Sequence, residues 1–309
     1  MSCIATESLT EAYRACQKQL LEAGLLIPMG VPGVYGHSGV FEDVIERFEA
    51  YVTRRAASLE AEVMRFPAIF SRAHYLRTTH IESFPDLMGS VHSFTGNEHG
   101  HAKLLQKRAD GEDWTKELSP TDVMLTPAAC YPLYPTATGT LSEKGRLVDL
   151  RSFVFRHEPS IDPARMQIFR QREFVRLGTA EQAIEHRDHW LTLGQEILNS
   201  VNLEVRAELA NDPFFGRGGK MMAATQKEQN LKYELVIAVA SADKPTAITS
   251  CNCHLDYFGN AFDIRQEDGS PAHTACIGFG LERIALALFM THGFDTDRWP
   301  STVRNVLGL

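Results

Sequence analysis

Two short segments carry charge at spacings that suit a triphosphate. In the first, Phe155-Arg156-His157-Glu158, a guanidinium and a carboxylate stand two apart, as on one face of a strand, and an aromatic, Phe169, returns after a polar loop. In the second, Gly278-Phe279-Gly280-Leu281-Glu282-Arg283 runs into Ile284-Ala285-Leu286-Ala287-Leu288-Phe289, which sets an arginine just inside a helix behind a Gly-x-Gly approach. Together they read as an ATP site. Activating a carboxylic acid with ATP requires bending the triphosphate, screening its charge and holding the adenine while a carboxylate oxygen meets the α-phosphorus in line. Arg156 is placed to bridge the α-phosphate and the carboxylate, Glu158 to accept from the adenine amino group, Phe169 to stack on the ring and Arg283 to hold the γ-phosphate. Singly, each arginine reads more readily as a surface salt bridge; the glycines and the following helix favour the joint reading.

The elements that must position these groups follow from periodicity. Residues 9–26 have helical spacing that closes at Gly24, before the breaker-rich Pro28-Met29-Gly30-Val31-Pro32-Gly33. Residues 41–64 form a longer helical pattern with Phe41, Val44, Ile45, Phe48, Val52 and Leu59 on one stripe, running into Phe66-Pro67. Short β-like runs fill residues 85–150, among them Val123-Met124-Leu125-Thr126-Pro127 and Leu147-Val148-Asp149-Leu150. Residues 179–209 are helical with Ile184, Trp190, Leu193, Ile197 and Val201 inward; after a glycine turn at 216–219, strands are expected at 235–240 and within 248–264. The strands lie too close together for βαβ crossovers, so an α+β fold is expected, an antiparallel sheet flanked by helices. The division is a helical N-terminal extension at 1–40 and a catalytic domain at 41–309.

Composition sets the frame. A chain of 309 residues, 44% hydrophobic, can bury one large core or two modest ones. A formal charge of −8 weighs against a surface built for nucleic acid. With no apolar run long enough to span a bilayer and no signal pattern at the N-terminus, the cytoplasm is the expected location. The six cysteines then read as thiols or metal ligands.

The two charged segments resemble motifs 2 and 3 of class II aminoacyl-tRNA synthetases, and the 41–64 helix with Phe66-Pro67 resembles motif 1, whose usual role implies a homodimer. Lys232-Tyr233-Glu234-Leu235, Thr249-Ser250-Cys251-Asn252-Cys253, Tyr257-Phe258 and Ile264-Arg265 narrow the resemblance to seryl-tRNA synthetases. It implies ATP contacts at Arg156, Glu158, Arg165, Met166, Phe169, Lys232, Ala247, Ser250 and Arg283, with Arg156 and Arg283 catalytic. The acidic residue that helps those enzymes hold Mg2+ would fall near Thr246 or Ala247 and is missing here. Cys130, Glu173 (at the end of the returning motif 2 strand) and Cys276 resemble the zinc ligands of the archaeal type, in which Zn2+ takes the substrate amine at its open position. The rival metal reading is Cys251-x-Cys253 with His254. Cys3, Cys16, Cys251 and Cys253 otherwise read as buried thiols, and His99-Gly100-His101 as ordinary surface residues.

Residues 1–60 hold only two helical patterns where seryl enzymes carry a tRNA-gripping domain. A catalytic core with archaeal-type zinc ligands and no such domain is similar to the amino acid:[carrier protein] ligases. That resemblance implies activation of glycine or alanine as an aminoacyl-adenylate, transfer to the phosphopantetheine thiol of a carrier protein without a dedicated base, and no tRNA partner. Residues 179–209 offer a docking surface for the carrier. The alternatives are a minimal seryl-type tRNA synthetase and a non-catalytic paralogue that binds ATP or an aminoacyl-adenylate.

Overall fold

The apolar stripe beginning at Phe41 is capped by Ser38, whose hydroxyl accepts from the Phe41 amide at 3.3 Å. The computed structural model describes residues 2–309, except the side chains of residues 2–7, 217, 218, 222 and 225. Its helices of twelve residues or more are α1 (Ser2–Glu22), α2 (Gly39–Ala56), α3 (Glu98–Ala109), α4 (Ala180–Ser200), α5 (Gly216–Glu228) and α6 (Leu281–His292). Phe41, Val44, Ile45, Phe48 and Val52 of α2 are buried as the stripe requires. The helix ends at Ala56 rather than at 64, because a 3-10 turn at Ala57–Leu59 and a left-handed Glu60 reverse the chain into a strand. The side chain of Cys3 lies outside the described residues.

Seven strands, numbered here in chain order, form the main sheet: β1 (Glu62–Arg65), β2 (Arg146–Phe155), β3 (Ile168–Gly178), β4 (Arg206–Leu209), β5 (Lys232–Ile237), β6 (Thr246–Leu255) and β7 (His273–Gly280). Their spatial order is β4-β5-β6-β7-β3-β2-β1. Every pairing is antiparallel except β1 on β2, where the long connection permits a parallel edge. A smaller sheet of Ile69–Ser71, Ser119–Leu125 and Ser90–Ser93 abuts the end of β2, where the Phe155 amide donates to the Thr126 carbonyl at 2.8 Å.

Alternation along the strands divides the sheet into two unlike faces. Phe174, Ile277 and Phe279 join Trp190 and Ile197 of α4, Phe48 of α2 and much of α6 in one hydrophobic cluster. Val148, Leu150, Val175, Leu177 and Cys276 point the other way, with Tyr134, Phe258 and Cys130. Helix α4 starts from a capping box in which Thr179 Oγ1 accepts from the Gln182 amide and Gln182 Oε1 from the Thr179 amide. It stops at Ser200, and the end of the expected helix is strand β4. Ile184, expected inward, is 45% exposed, whereas Ala183 and Leu198 are buried. The glycines at 216–219 open α5 rather than making a turn. No helix among the described residues is long and apolar enough to cross a membrane.

Candidate active site

The β2–β3 hairpin positions the first charged segment, although β2 itself ends at Phe155. Arg156 and Glu158 therefore lie in the loop beyond the strand, not on its face. The Glu158 amide donates to the Arg156 carbonyl at 2.7 Å, so the chain turns directly after the arginine. Arg156 Nε donates to the Pro127 carbonyl at 3.2 Å. Arg165 closes the loop with an ion pair to Glu158 at 2.7 Å and lies 3.9 Å from Asp162.

Phe169 returns on β3 with two guanidiniums on its ring, Arg156 at 5.6 Å and Arg283 at 5.8 Å from the centroid. The two charged segments, far apart in the chain, thus meet on one aromatic. Arg283, in the first turn of α6, donates to the carbonyls of Ala164 at 2.8 Å and Ala247 at 3.0 Å. Burial, with Arg156 and Arg165 nearby, pulls its acidity constant down to about 10, still charged near neutrality. Beneath it, Glu282 is bonded to the Arg170 amide and guanidinium, which ties α6 to β3. Met166 lies in the hydrophobic core, so only its backbone can face a nucleotide.

Next to Arg156 opens a cavity of about 520 Å³ whose wall includes Cys130, Glu173, Lys232, Ser250 and Cys276. Register explains the convergence: Gly278 pairs with Glu173 across β7 and β3, and Cys276 with Asn252 across β7 and β6. Glu173 lies in the middle of β3, not at its end. Cys130 arrives from the turn after Thr126, with the Ala129 amide donating to Glu173 Oε1 at 2.9 Å. The neighbouring Cys276 thiol, then burial and the Glu173 carboxylate, raise Cys130 well above an ordinary thiol. Burial, then the charge of Cys276, pushes the Glu173 carboxyl up to about 8. Its Oε2 is buried without a hydrogen-bond partner in the protein. As folded, no three His, Cys, Asp or Glu side chains among the described residues stand at the spacing of a metal site.

The rival cluster does not form. Cys251 and Cys253 turn into the core on the helix side of β6, while His254, on the alternate face with Ser250 and Asn252, turns to the cavity. There His254 Nε2 lies 3.7 Å from Cys276 Sγ, and Asn252 Nδ2 donates to the same sulfur at 3.5 Å. Asn252 had no site role in the sequence reading, and His254 was named only beside Cys251 and Cys253; strict alternation from Ser250 puts both on the cavity face, opposite those cysteines. Asp212 was also missed. It holds Lys232 Nζ and accepts from Gln226 at 2.9 Å, burying a charge pair in the cavity wall. Lys232 also reaches Glu234 at 3.5 Å.

An antiparallel sheet with an arginine hairpin and an arginine-bearing helix on neighbouring strands defines a class II aminoacyl-tRNA synthetase-like domain. The M. kandleri seryl-tRNA synthetase, solved in complex with A. aeolicus tRNASec, superposes with a TM-score of 0.79 at 18% identity, over 94% of this chain and 60% of that one. No family model matches the chain. It is 28% identical over 199 residues to the type-2 serine–tRNA ligase of Methanococcus aeolicus, spanning 37% of that protein. The particular kinship is closer: 44% identity over 291 residues, 94% of this chain and 87% of the relative, to amino acid–[acyl-carrier-protein] ligase 2 of Bradyrhizobium diazoefficiens. The chain belongs to the amino acid–[acyl-carrier-protein] ligase family.

Proposed function

We propose that the protein uses ATP and Mg2+ to convert glycine or alanine to its aminoacyl-adenylate and then passes the aminoacyl group to the phosphopantetheine thiol of a carrier protein. Family membership carries the coarser statement, that this is a ligase joining an amino acid to a carrier protein. The observation behind the finer one is the junction of Phe169, Arg156 and Arg283 with the thiol-lined cavity. Arg156 belongs to both halves, so one guanidinium can hold an α-phosphate and the carboxylate that attacks it. Each arginine has N–H groups beyond those bonded to carbonyls. Glu158, Arg165, the Met166 backbone, Lys232, Ala247 and Ser250 complete the nucleotide assignment. With no carboxylate at Thr246 or Ala247, the magnesium would ride on the triphosphate.

Cys130, Glu173 and Cys276 would hold zinc. Two thiols and a buried carboxylate oxygen without a partner are a donor set suited to that ion, although the three side chains would have to draw together around it. Zinc there would supply a Lewis-acid seat for a neutral α-amine. On its Gly278 side the cavity leaves little room for a substrate side chain. At Gly278 a Cβ would fill the space between Glu173 Cγ and Ser250 Oγ, 3.6 and 3.7 Å away. In the second step the carrier's sulfur bonds to the carbonyl carbon as the bond to AMP breaks, and the leaving group needs no enzyme base.

Pyrophosphate exchange with glycine, alanine or serine tests activation, and no exchange with any of them ends this reading. Mass spectrometry of a pantetheinylated carrier tests transfer; labelled amino acid on tRNA instead would favour the minimal synthetase. A homodimer through α2 and the free edge of β1, where Val63 is exposed, belongs to the same reading. A monomer by light scattering at micromolar concentration removes it.

A further inference from the structure

Residues 158–167, the loop that would carry the nucleotide contacts, have no strand partner over most of their length, so something else must fix their path. Three hydrogen bonds meet on Gln167, two of them with the N-terminal segment. The Gln167 amide donates to the Gly33 carbonyl at 2.7 Å, and its Nε2 donates to the Pro32 carbonyl at 2.8 Å. The Gln167 carbonyl in turn accepts from the Arg156 amide at 2.8 Å. Gly33 itself is wedged against both arms of the loop: a Cβ there would lie 3.1 Å from the Arg165 carbonyl and 3.5 Å from the Glu158 carbonyl. Its φ of +75° lets the turn make that approach. Helix α1 closes on the same loop. Burial, and then the Asp162 carboxylate, push the Cys16 thiol up to about 12, and Cys16, Ala164 and Met166 share one apolar cluster.

We infer that the Pro32–Gly33 turn and Gln167 form a brace that sets the nucleotide-binding arms of the hairpin loop, with Gln167 as a positioning residue for ATP. The inference rests on the nucleotide roles proposed for Arg156, Glu158 and Arg165. Its physical basis is that the other tether, Arg283, reaches the loop through a single Nε bond to the Ala164 carbonyl, while Arg165 pairs within the loop itself. The loop then depends on the brace. A displacement of about 1 Å in a positioning group can cost on the order of a hundredfold in rate. The N-terminal segment, separable by sequence pattern, is in this view part of the ATP site.

The experiment measures glycine-dependent pyrophosphate exchange, with separate KM values for ATP and glycine, and calorimetric titration of a non-hydrolysable ATP analogue. Gly33→Ala should raise the KM and Kd for the nucleotide about tenfold or more while the glycine KM stays within about twofold. Gln167→Met, which keeps the stem and loses the bond to Pro32, should give a smaller shift of the same kind. Gly30→Ala is the control for strain alone, since Gly30 has φ +78° but no atom within 4 Å of its would-be Cβ. It should lower Tm without moving the nucleotide constants. Equal effects of Gly30→Ala and Gly33→Ala, or a parallel rise in both KM values, overturn the brace. Should Gly33→Ala fail to fold, an unchanged nucleotide Kd in Gln167→Met does the same. Arg156→Ala separates the two layers: if it leaves exchange intact, the nucleotide assignment fails, and if it abolishes exchange while Gly33→Ala and Gln167→Met do nothing, only the brace does.

Discussion

The two ends of the site differ in how far the protein satisfies its own polar groups. At the nucleotide end, Arg156 bonds the Pro127 carbonyl, Arg283 two carbonyls, and Arg165 pairs with Glu158. At the thiol end, Glu173 Oε2 and Tyr134 Oη are buried without partners. An unsatisfied buried acceptor costs roughly 1–3 kcal/mol, a cost that the proposed zinc would relieve at Glu173. On the proposed reading, the nucleotide end is held by the chain's own carbonyls until phosphates arrive, whereas the thiol end would be completed by a metal ion.

The sharpest way to break this contrast is at sulfur. Cys276→Ser or Cys130→Ser should lose bound zinc and reduce amino-acid-dependent exchange by at least about a thousandfold, because a hydroxyl is a poor ligand for that ion. Metal analysis alongside the exchange assay checks it. Exchange that survives in a metal-free variant refutes the ligand role of the thiol end and leaves the nucleotide end untouched.

Glu173 gives the next effect, read in chelator-treated protein. Burial holds its carboxyl at about 8 when folded against an ordinary value of 4.5. Between those values the unfolded chain has released the proton and the folded one retains it. The group's contribution to stability is therefore full below about pH 4.5 and is lost as pH rises through 8, by at most about 4–5 kcal/mol. Glu173→Gln removes the titration, so its Tm should fall less than wild type between pH 5 and 9. Superimposable pH curves would mean that the carboxylate is already satisfied, and the contrast between the ends would vanish.

Arg283→Lys probes the satisfied end and should cost about ten- to a hundredfold in kcat/KM for ATP. A lysine keeps the charge but cannot span the Ala164 and Ala247 carbonyls with one planar fork. Steady-state exchange at varied ATP measures it, and wild-type values would show that charge alone suffices.

The same contrast governs what could be read from sequence. The nucleotide end is carried by two contiguous segments whose spacing survives in the fold, and even there the end of β2 was misjudged, because the Thr126 carbonyl and the turn at Glu158 terminate the strand at Phe155. Cys130, Glu173 and Cys276 have no spacing rule between them; resemblance named them, and only strand register shows why they meet. His254 was grouped with Cys251 and Cys253, although alternation sets it on the other face with Ser250 and Asn252. Helix α3 went unseen because it buries no residue, so no apolar stripe marks it. Helix α5 went unseen because glycines, read as a turn, open it.

The smallest expected effect concerns the far face of the sheet, where α4 packs with no part in either end of the site. Its N-terminus depends on the reciprocal bonds of Thr179 and Gln182, at 3.2 and 3.1 Å. Thr179→Ala removes the hydroxyl that satisfies the Gln182 amide and should cost about 1 kcal/mol. Thermal unfolding of the variant should show that loss, while the KM values for ATP and glycine remain those of the wild type. The reason is mechanical: α4 is anchored by Trp190, stacked on Phe174 at 4.4 Å, and by His186, which donates to the Phe174 carbonyl at 2.9 Å. Fraying one turn ahead of those anchors leaves Phe174 in place, and with it Glu173, whose side chain projects from the opposite face of the same strand. If Thr179→Ala instead raised the glycine KM without touching ATP, the helix face would be coupled through β3 to the unsatisfied end, and the division between a structural face and a chemical face would have to be redrawn.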